Sequence, residues 1–184
     1  MRIANRVFKF LVIIIFLSFF SCIENKEPAY AETKEGMHEV NITTLDSQYI
    51  CDAFNGGKFE IQLSEHAKNM FSSQKVRDLA EKMVIAHSDL NKEPKALADE
   101  RELILLSIPT KEENDAILKI TSKSGSEFDK MYTDKIIADH EAAVSLFEKA
   151  AENANDTGVK KLFAAALPGI KHHLQMAKAV RDSL

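Results

Sequence analysis

An all-α fold, a four-helix bundle of two antiparallel hairpins, is what this sequence predicts, and three observations predict it. From Ser47 to Leu184 apolar residues recur at steps of three and four, the period of an amphipathic helix rather than of a strand. Glycine and proline are sparse, 6 and 4 in 184 residues, so long helices can run with few interruptions. The links near Ser72 and near Asn155 are very short, and a short link leaves consecutive helices side by side and antiparallel. The length allows one core of ordinary size.

Residues 1–21 read as a signal peptide, with Arg2, Arg6 and Lys9 as the charged start and Phe10 to Phe20 as an apolar run. That run is shorter than the roughly 20 apolar residues a membrane helix needs, and the acidic stretch after it offers no second span. Two outcomes are open for the signal: cleavage that releases a soluble protein, or cleavage just before Cys22 with lipid added to its thiol. The second is the expected one, because Ser18, Phe19, Phe20 and Ser21 before Cys22 resemble a loose bacterial lipobox. The membrane, reached through that lipid, is then a partner, and the protein belongs to the cell envelope. Cys51, the other cysteine, has no intrachain partner in that case and reads as a packed helix residue.

Residues 22–45 are polar and acidic without a helical period, and read as a flexible tether with a reach of about 25–30 Å. The bundle domain is expected over 46–184. Without residues 1–21 the chain keeps all 28 acidic residues and loses three of its 24 basic ones, for a net charge of about −7. Nucleic acid is therefore not an expected partner: there is no basic stripe with interleaved aromatics and no glycine-rich phosphate loop. Exposed pairs such as Glu148 and Lys149 read as a solvated face.

The first long helix is expected over about 45–71 and the second over about 73–101, with a kink at Pro94, whose ring removes a helix hydrogen bond. A connection through Leu103 to Pro109 and a minor helix near Lys111 to Ser122 lead to a break at Ser124-Gly125. The third long helix follows over about 127–153. Asn155, Asp156 and Thr157 supply turn and cap chemistry before the last, which runs to about Asp182.

A bundle seam laid on these helices shows one notable break in its apolar character in each. Tyr49, Ala53, Gly56, Glu60, Leu63, Ala67 and Met70 place Glu60 in the first; Val76, Ala80, Met83, His87 and Leu90 place His87 in the second. The third, Asp129, Thr133, Ile136, His140, Ala143, Phe147 and Ala150, contains His140. The fourth, Val159, Phe163, Ala166, Ile170, His173, Ala177 and Val180, contains His173. Of the other histidines, His38 lies in the tether, His66 off the seam, and His172 one residue round from His173.

With both tight turns placed at one end of the bundle, a rise of 1.5 Å per residue puts Glu60 at about 18 Å, His87 and His140 at about 22 Å and His173 at about 27 Å from that end. The four share a band. Asp129, at about 39 Å, does not; with Ser126 it fits the Ser-x-x-Asp pattern of a helix start. A carboxylate and imidazoles buried in an apolar seam cost several kcal/mol unless paired, hydrogen-bonded or metal-bound. Glu60, His87, His140 and His173 are accordingly candidate ligands of one divalent transition metal, Zn, Fe, Mn or Cu. A metal-free hydrogen-bonded Glu–His network would also compensate the burial.

Four runs carry a family resemblance: Gly57-Lys58-Phe59-Glu60; Leu79 to His87; Phe128-Asp129-Lys130-Met131-Tyr132 with His140 following; and Leu167-Pro168-Gly169-Ile170-Lys171-His172-His173-Leu174. In that order they resemble the secreted bacterial family called domain of unknown function 4142, over about Ser47 to Ala179. The resemblance implies a ferritin-like bundle in an outer-membrane or periplasmic protein and supplies no reaction. Family members commonly carry Asp before the second helix's histidine, where this chain has Ala86. The chain also lacks the two Glu-x-x-His pairs of dinuclear iron bundles, which points to a single ion.

The expected function is a lipid-tethered, metal-binding envelope bundle. The alternative is a non-enzymatic envelope binding or scaffold module whose Glu–His seam is structural. No nucleophile–base pair specifies a reaction. Haem is not expected, since there is no Cys-x-x-Cys-His motif, although Ala80 and Ala143 would leave some room.

Overall fold

A computed structural model describes residues 31–33, 42–67 and 70–184. Cys22, the signal segment and most of the tether lie outside the described residues. The folded part comprises α1 (Thr44–Ala67), α2 (Gln74–Leu90), α3 (Lys92–Glu100), α4 (Lys111–Thr121), α5 (Gly125–Asn153) and α6 (Thr157–Arg181). Two short strands, β1 (Ala31–Thr33) and β2 (Leu103–Leu105), pair antiparallel, Ala31 opposite Leu105. β1 falls inside the stretch read as a tether, so part of that stretch is held against the domain. No described helix is long and apolar enough to cross a membrane.

The four long helices form the expected bundle of two antiparallel hairpins. Each packs on its hairpin partner, and α1 also meets α5 while α2 meets α6, giving the cyclic order α1–α2–α6–α5. Two buried aspartates fix how the hairpins face each other. Asp129, in the first turns of α5, accepts from the backbone N–H of Ser73 at 2.8 Å and of Ser72 at 3.2 Å, and from the Ser72 hydroxyl. It thereby caps the turn that opens α2. Asp46, at the start of α1, accepts from the N–H of Asn155 at 2.9 Å and of Asp156 at 2.9 Å, the turn that opens α6.

Each hairpin's tight turn is thus clamped by the other hairpin's first helix, and the two turns lie at opposite ends of the bundle. This corrects the expectation that both turn at one end. The reason is residues 91–124, which carry α3, β2 and α4 and are long enough to run back along the bundle before α5 begins. It also corrects the role of Asp129. The N-cap of α5 is Ser124, without a side-chain bond, and the Asp129 carboxylate serves α2 instead. Asp156 does cap α6, accepting from Gly158 and Val159, and Arg101 Nε holds it at 2.8 Å, tying the end of α3 to this turn.

The expected kink divides the second long helix. α2 stops at Leu90 and α3 begins at Lys92, because Pro94 has no N–H to bond the Leu90 carbonyl and the break at Asn91 falls in the turn before the proline. Asn91 is buried and donates from Nδ2 to the Phe54 carbonyl at 3.1 Å. Its side chain lies directly over Gly57, where a Cβ would collide with it. Gly57, not the expected Gly56, is therefore the buried glycine of α1.

The core falls into two apolar clusters. One joins Leu63, Met83, Phe128, Tyr132, Ile136 and Ala177 near the α1–α2 turn; the other joins Ile50, Ala150, Ala154, Val159 and Phe163 near the α5–α6 turn. Each contains an aromatic pair in edge contact, Phe71 with Phe128 (centroids 5.2 Å apart) and Phe147 with Phe163 (4.7 Å).

Replacing either clamp removes charge-assisted bonds to part-buried backbone N–H groups, so Asp129→Ala and Asp46→Ala should each lower unfolding stability by about 1–3 kcal/mol. Because the clamps sit at opposite ends, the double variant should lose close to the sum of the two. Urea unfolding of the four proteins checks both statements.

Candidate metal centre

Between the two clusters the core turns polar. Glu60 of α1, His87 of α2, His140 of α5 and His173 of α6 project into one band, one from each long helix, and all are under a tenth exposed. The four seam positions picked out in the sequence are brought together. The reversed direction of one hairpin does not spoil the register because the band lies near mid-length. Glu60 is about 21 Å from Asp46 and about 18 Å from Ser72 along the axis, so counting from either end gives nearly the same depth.

Glu60 Oε1 lies 3.1 Å from His140 Nδ1, and the same nitrogen is 3.0 Å from the Ile136 carbonyl. Two oxygens facing one ring nitrogen fix the tautomer: Nδ1 carries the proton and donates, which leaves Nε2 as a bare lone pair. His140 Nε2 is buried and has no hydrogen-bond partner. His173 Nδ1 is in the same condition. His87 Nε2 sits 2.8 Å from Glu60 Oε2, close enough for strong attraction, yet the ring N–H direction misses the oxygen and both atoms lack an aligned hydrogen bond.

The three imidazoles surround a common point. Their ring centroids are 5.3–5.5 Å apart. One ligating atom from each lies within 4.8 Å of the others; a shared ion with bonds of about 2 Å would set them about 3.3 Å apart, so the rings would close in on it. Unpartnered buried polar atoms are rare in folded proteins because each costs roughly 1–3 kcal/mol. The three buried histidines could hold a metal ion, and Glu60 Oε1 lies behind His140, as carboxylates commonly orient metal-binding histidines.

The groups of the band shift in different directions. Burial opposes ionisation of Glu60, but the hydrogen bond from His140, the close contact of His87 and the positive charge of both outweigh it and bring its carboxyl down to about 2. Burial likewise opposes protonation of His140, and Glu60 outweighs it, raising that imidazole above its ordinary 6.5. His173 goes the other way. Burial and then the neighbouring His87 and His140 push it down to about 4, so it is a free base at neutral pH. A metal needs unprotonated imidazole, and His173 offers it.

The other histidines stay outside: His66 and His172 are exposed, and His38 lies outside the described residues. Cys51 is buried and unbridged, with its thiol pushed up to about 11 by burial and by Asp52, as befits a packed residue. Sequence reasoning missed Asp139. It directly precedes His140, pairs through Oδ1 with Lys135 Nζ at 2.5 Å, and leaves its buried Oδ2 without a partner. Its position one residue before a seam histidine was the available signal.

A sequence profile described as domain of unknown function (DUF4142) matches residues 31–180. No curated protein matches the chain. Among solved structures, a DUF305 fragment from Deinococcus radiodurans superposes with a TM-score of 0.69 at 12% identity, covering 78% of this chain and 99% of that one. A DUF305 protein from Streptomyces coelicolor, described as secreted, superposes with a TM-score of 0.62 at 13% identity over 72% of this chain and 88% of its own. At these identities the likeness is one of fold.

The shift of His173 has a consequence for the metal-free protein. Its folded pKa, about 4, is below its ordinary 6.5, so its contribution to stability is complete above pH 6.5 and is lost as pH falls towards 4. In chelator, the melting temperature should fall across that window, and His173→Gln, which cannot titrate, should flatten the fall. Thermal melts of both proteins between pH 7 and pH 4 measure it.

Proposed function

This chain belongs to the family described as domain of unknown function (DUF4142), a description that assigns no reaction, and on that premise we propose that it is an exported, lipid-anchored bundle that binds a single divalent transition-metal ion in its core. The ligands are Glu60, His87, His140 and His173. The observation that carries the reading is the buried trio His87, His140 and His173, one ligand atom of each within 4.8 Å of the others, with His140 Nε2 and His173 Nδ1 lacking a hydrogen-bond partner. Nitrogen donors with one carboxylate suit Zn, Fe, Mn or Cu. When bound, such an ion supplies Lewis acidity or, if redox-active, electron transfer. The chain's own part is to keep His173 deprotonated, to hold His140 in one tautomer through Glu60 and Ile136, and to bury the site between two apolar clusters.

The competing reading is a scaffold or binding module whose polar band is structural. The contact of Glu60 with His140 favours it, since that pair compensates part of its own burial. A metal assay separates the two. Purified without a histidine tag, the protein should hold near one equivalent of one metal by elemental mass spectrometry, and its melting temperature should drop in chelator, because a ligand that binds only the folded state raises apparent stability. His140→Ala with His173→Ala should abolish stoichiometric metal. Full metal content in the double variant, or none in the wild type after Zn, Mn, Fe or Cu is supplied, would leave the structural reading.

The anchor is Cys22, after the signal peptide of residues 1–21 and at the head of the tether. Export is also what the secreted Streptomyces relative of this fold suggests. Two acyl chains hold a protein on a membrane where a soluble domain would wash off. Cys22→Ser should therefore move the protein from the membrane fraction to the soluble fraction of an expressing bacterium. Retention of the variant on membranes would rule out the lipid.

A further inference from the structure

The metal centre is lopsided. On the side of the α1–α2 turn it is closed by Leu63, Met83, Ile136 and Ala177, all essentially unexposed. On the side of the α5–α6 turn it opens into a cavity of about 350 Å³ that reaches Glu60 and His87. Neither His140 nor His173 lines it. There α2 passes at Asn91 into α3, which packs on α1 and α6 as α2 does, and Leu90, Asn91, Glu93 and Pro94 of this junction line the cavity.

The walls are apolar, with Phe59, Ala143, Phe147, Phe163, Ala166 and Ile170 among them. Glu60, His87, Asp139 and Lys135 form its polar end beside the metal centre, and Asp52, Asn91, Glu93 and Glu113 also contribute to the lining. This is the layout of a small-molecule site, an apolar chamber with a few convergent polar atoms and a volume in the usual range of about 300–1,000 Å³.

The polar end also indicates what head group fits. Asp139 Oδ2 is buried without a hydrogen-bond partner, and Glu60 Oε2, 2.8 Å from His87 Nε2, has no aligned one. The nearby ammonium of Lys135 is already paired with Asp139 Oδ1 and lies over the Phe59 ring. The end is thus rich in acceptors and short of free donors. It disfavours an anion, which would face two carboxylates, and it leaves a purely apolar guest with two oxygens unsatisfied.

We propose that this cavity binds a small neutral hydroxylated molecule, one ring or a short branched chain in size, with its hydroxyl donating to Glu60 Oε2 or Asp139 Oδ2 and its apolar body between Phe59, Phe147 and Phe163. The inference extends the metal reading without depending on it. Both use Glu60 and His87, but the guest is recognised by oxygens and apolar walls that the chain supplies itself.

The test uses three probes of one shape on the purified protein, with metal content measured in every sample. 4-Ethylphenol should bind, by calorimetry or ligand-observed NMR, at least tenfold more tightly than ethylbenzene, which lacks the hydroxyl, or 4-ethylbenzoate, which carries a charge. Ala143→Phe, which fills the chamber, should weaken 4-ethylphenol at least tenfold while metal content stays at its wild-type value. Ala166→Leu, a milder filling from α6, should act the same way if the first variant folds poorly. No binding of 4-ethylphenol, or equal binding to wild type and filled variants, overturns the cavity as a site; equal binding of all three probes overturns the assigned head group. A wild-type protein that binds 4-ethylphenol without any metal overturns the metal reading alone, and one that holds metal but no probe overturns this inference alone.

Discussion

The Glu60 carboxylate is buried at the middle of a helical bundle, and the arrangement of everything around it follows from the cost of placing it there. An ion of that kind, stripped of water and left unpaired, costs several kcal/mol. Only close positive or donating groups recover that cost. His140 supplies one at 3.1 Å through a nitrogen whose proton is fixed, and His87 supplies another at 2.8 Å. Because each partner comes from a different helix, the carboxylate couples α1 to α2 and to α5 at one level. His173 completes the ring from α6 without touching Glu60 directly. It is the member whose neutrality is enforced, by burial first and by the other two imidazoles second.

Such a band works only if four helices arrive at it in register, and the apolar seams do not fix register by themselves. A seam can slide by a turn with modest loss of packing. The two aspartate clamps prevent that. Asp46 holds the α5–α6 turn from the start of α1, and Asp129 holds the α1–α2 turn from the start of α5. The clamps are charge-assisted bonds to backbone N–H groups at helix starts, where the helix dipole adds to their strength. They tie each hairpin to the other at both ends, and the site sits between two fixed points. The buried Tyr132–Ser64 hydrogen bond, 2.7 Å, pins α1 to α5 again on the turn side of the band.

The sequence made much of this legible for a simple reason. Apolar periodicity reports burial, and burial reports the seam, so a single polar residue on each seam stands out. Glu60, His87, His140 and His173 were found in that way, and the minor helix over Lys111–Thr121 was found from its flanking breaks. Periodicity does not encode direction, however. A short loop makes its two helices antiparallel but leaves the relation between hairpins open, and the long residues 91–124 allow either end. The clamps were hidden by the same ambiguity: Ser126 and Asp129 match a local cap, and only the tertiary fold shows the carboxylate reaching a different helix. Pro94 announces the break in the second long helix, whereas the long-range contact of Asn91 with Phe54 and Gly57 has no local pattern.

The passage from α2 to α3 also bears on the site's asymmetry. Leu90, Asn91, Glu93 and Pro94 line the chamber that reaches Glu60 and His87, while Leu63, Met83 and Ile136 close the opposite flank. A band sealed on both sides could hold an ion but could exchange nothing with it. The Gly57–Asn91 contact seats that junction, because a side chain at position 57 would collide with Asn91, which bonds the Phe54 carbonyl. A glycine three residues before the buried carboxylate thus shapes the chamber beside it, and the short run Gly57-Lys58-Phe59-Glu60 places a contact for the junction, an apolar wall and a polar group of the chamber on a single turn of helix.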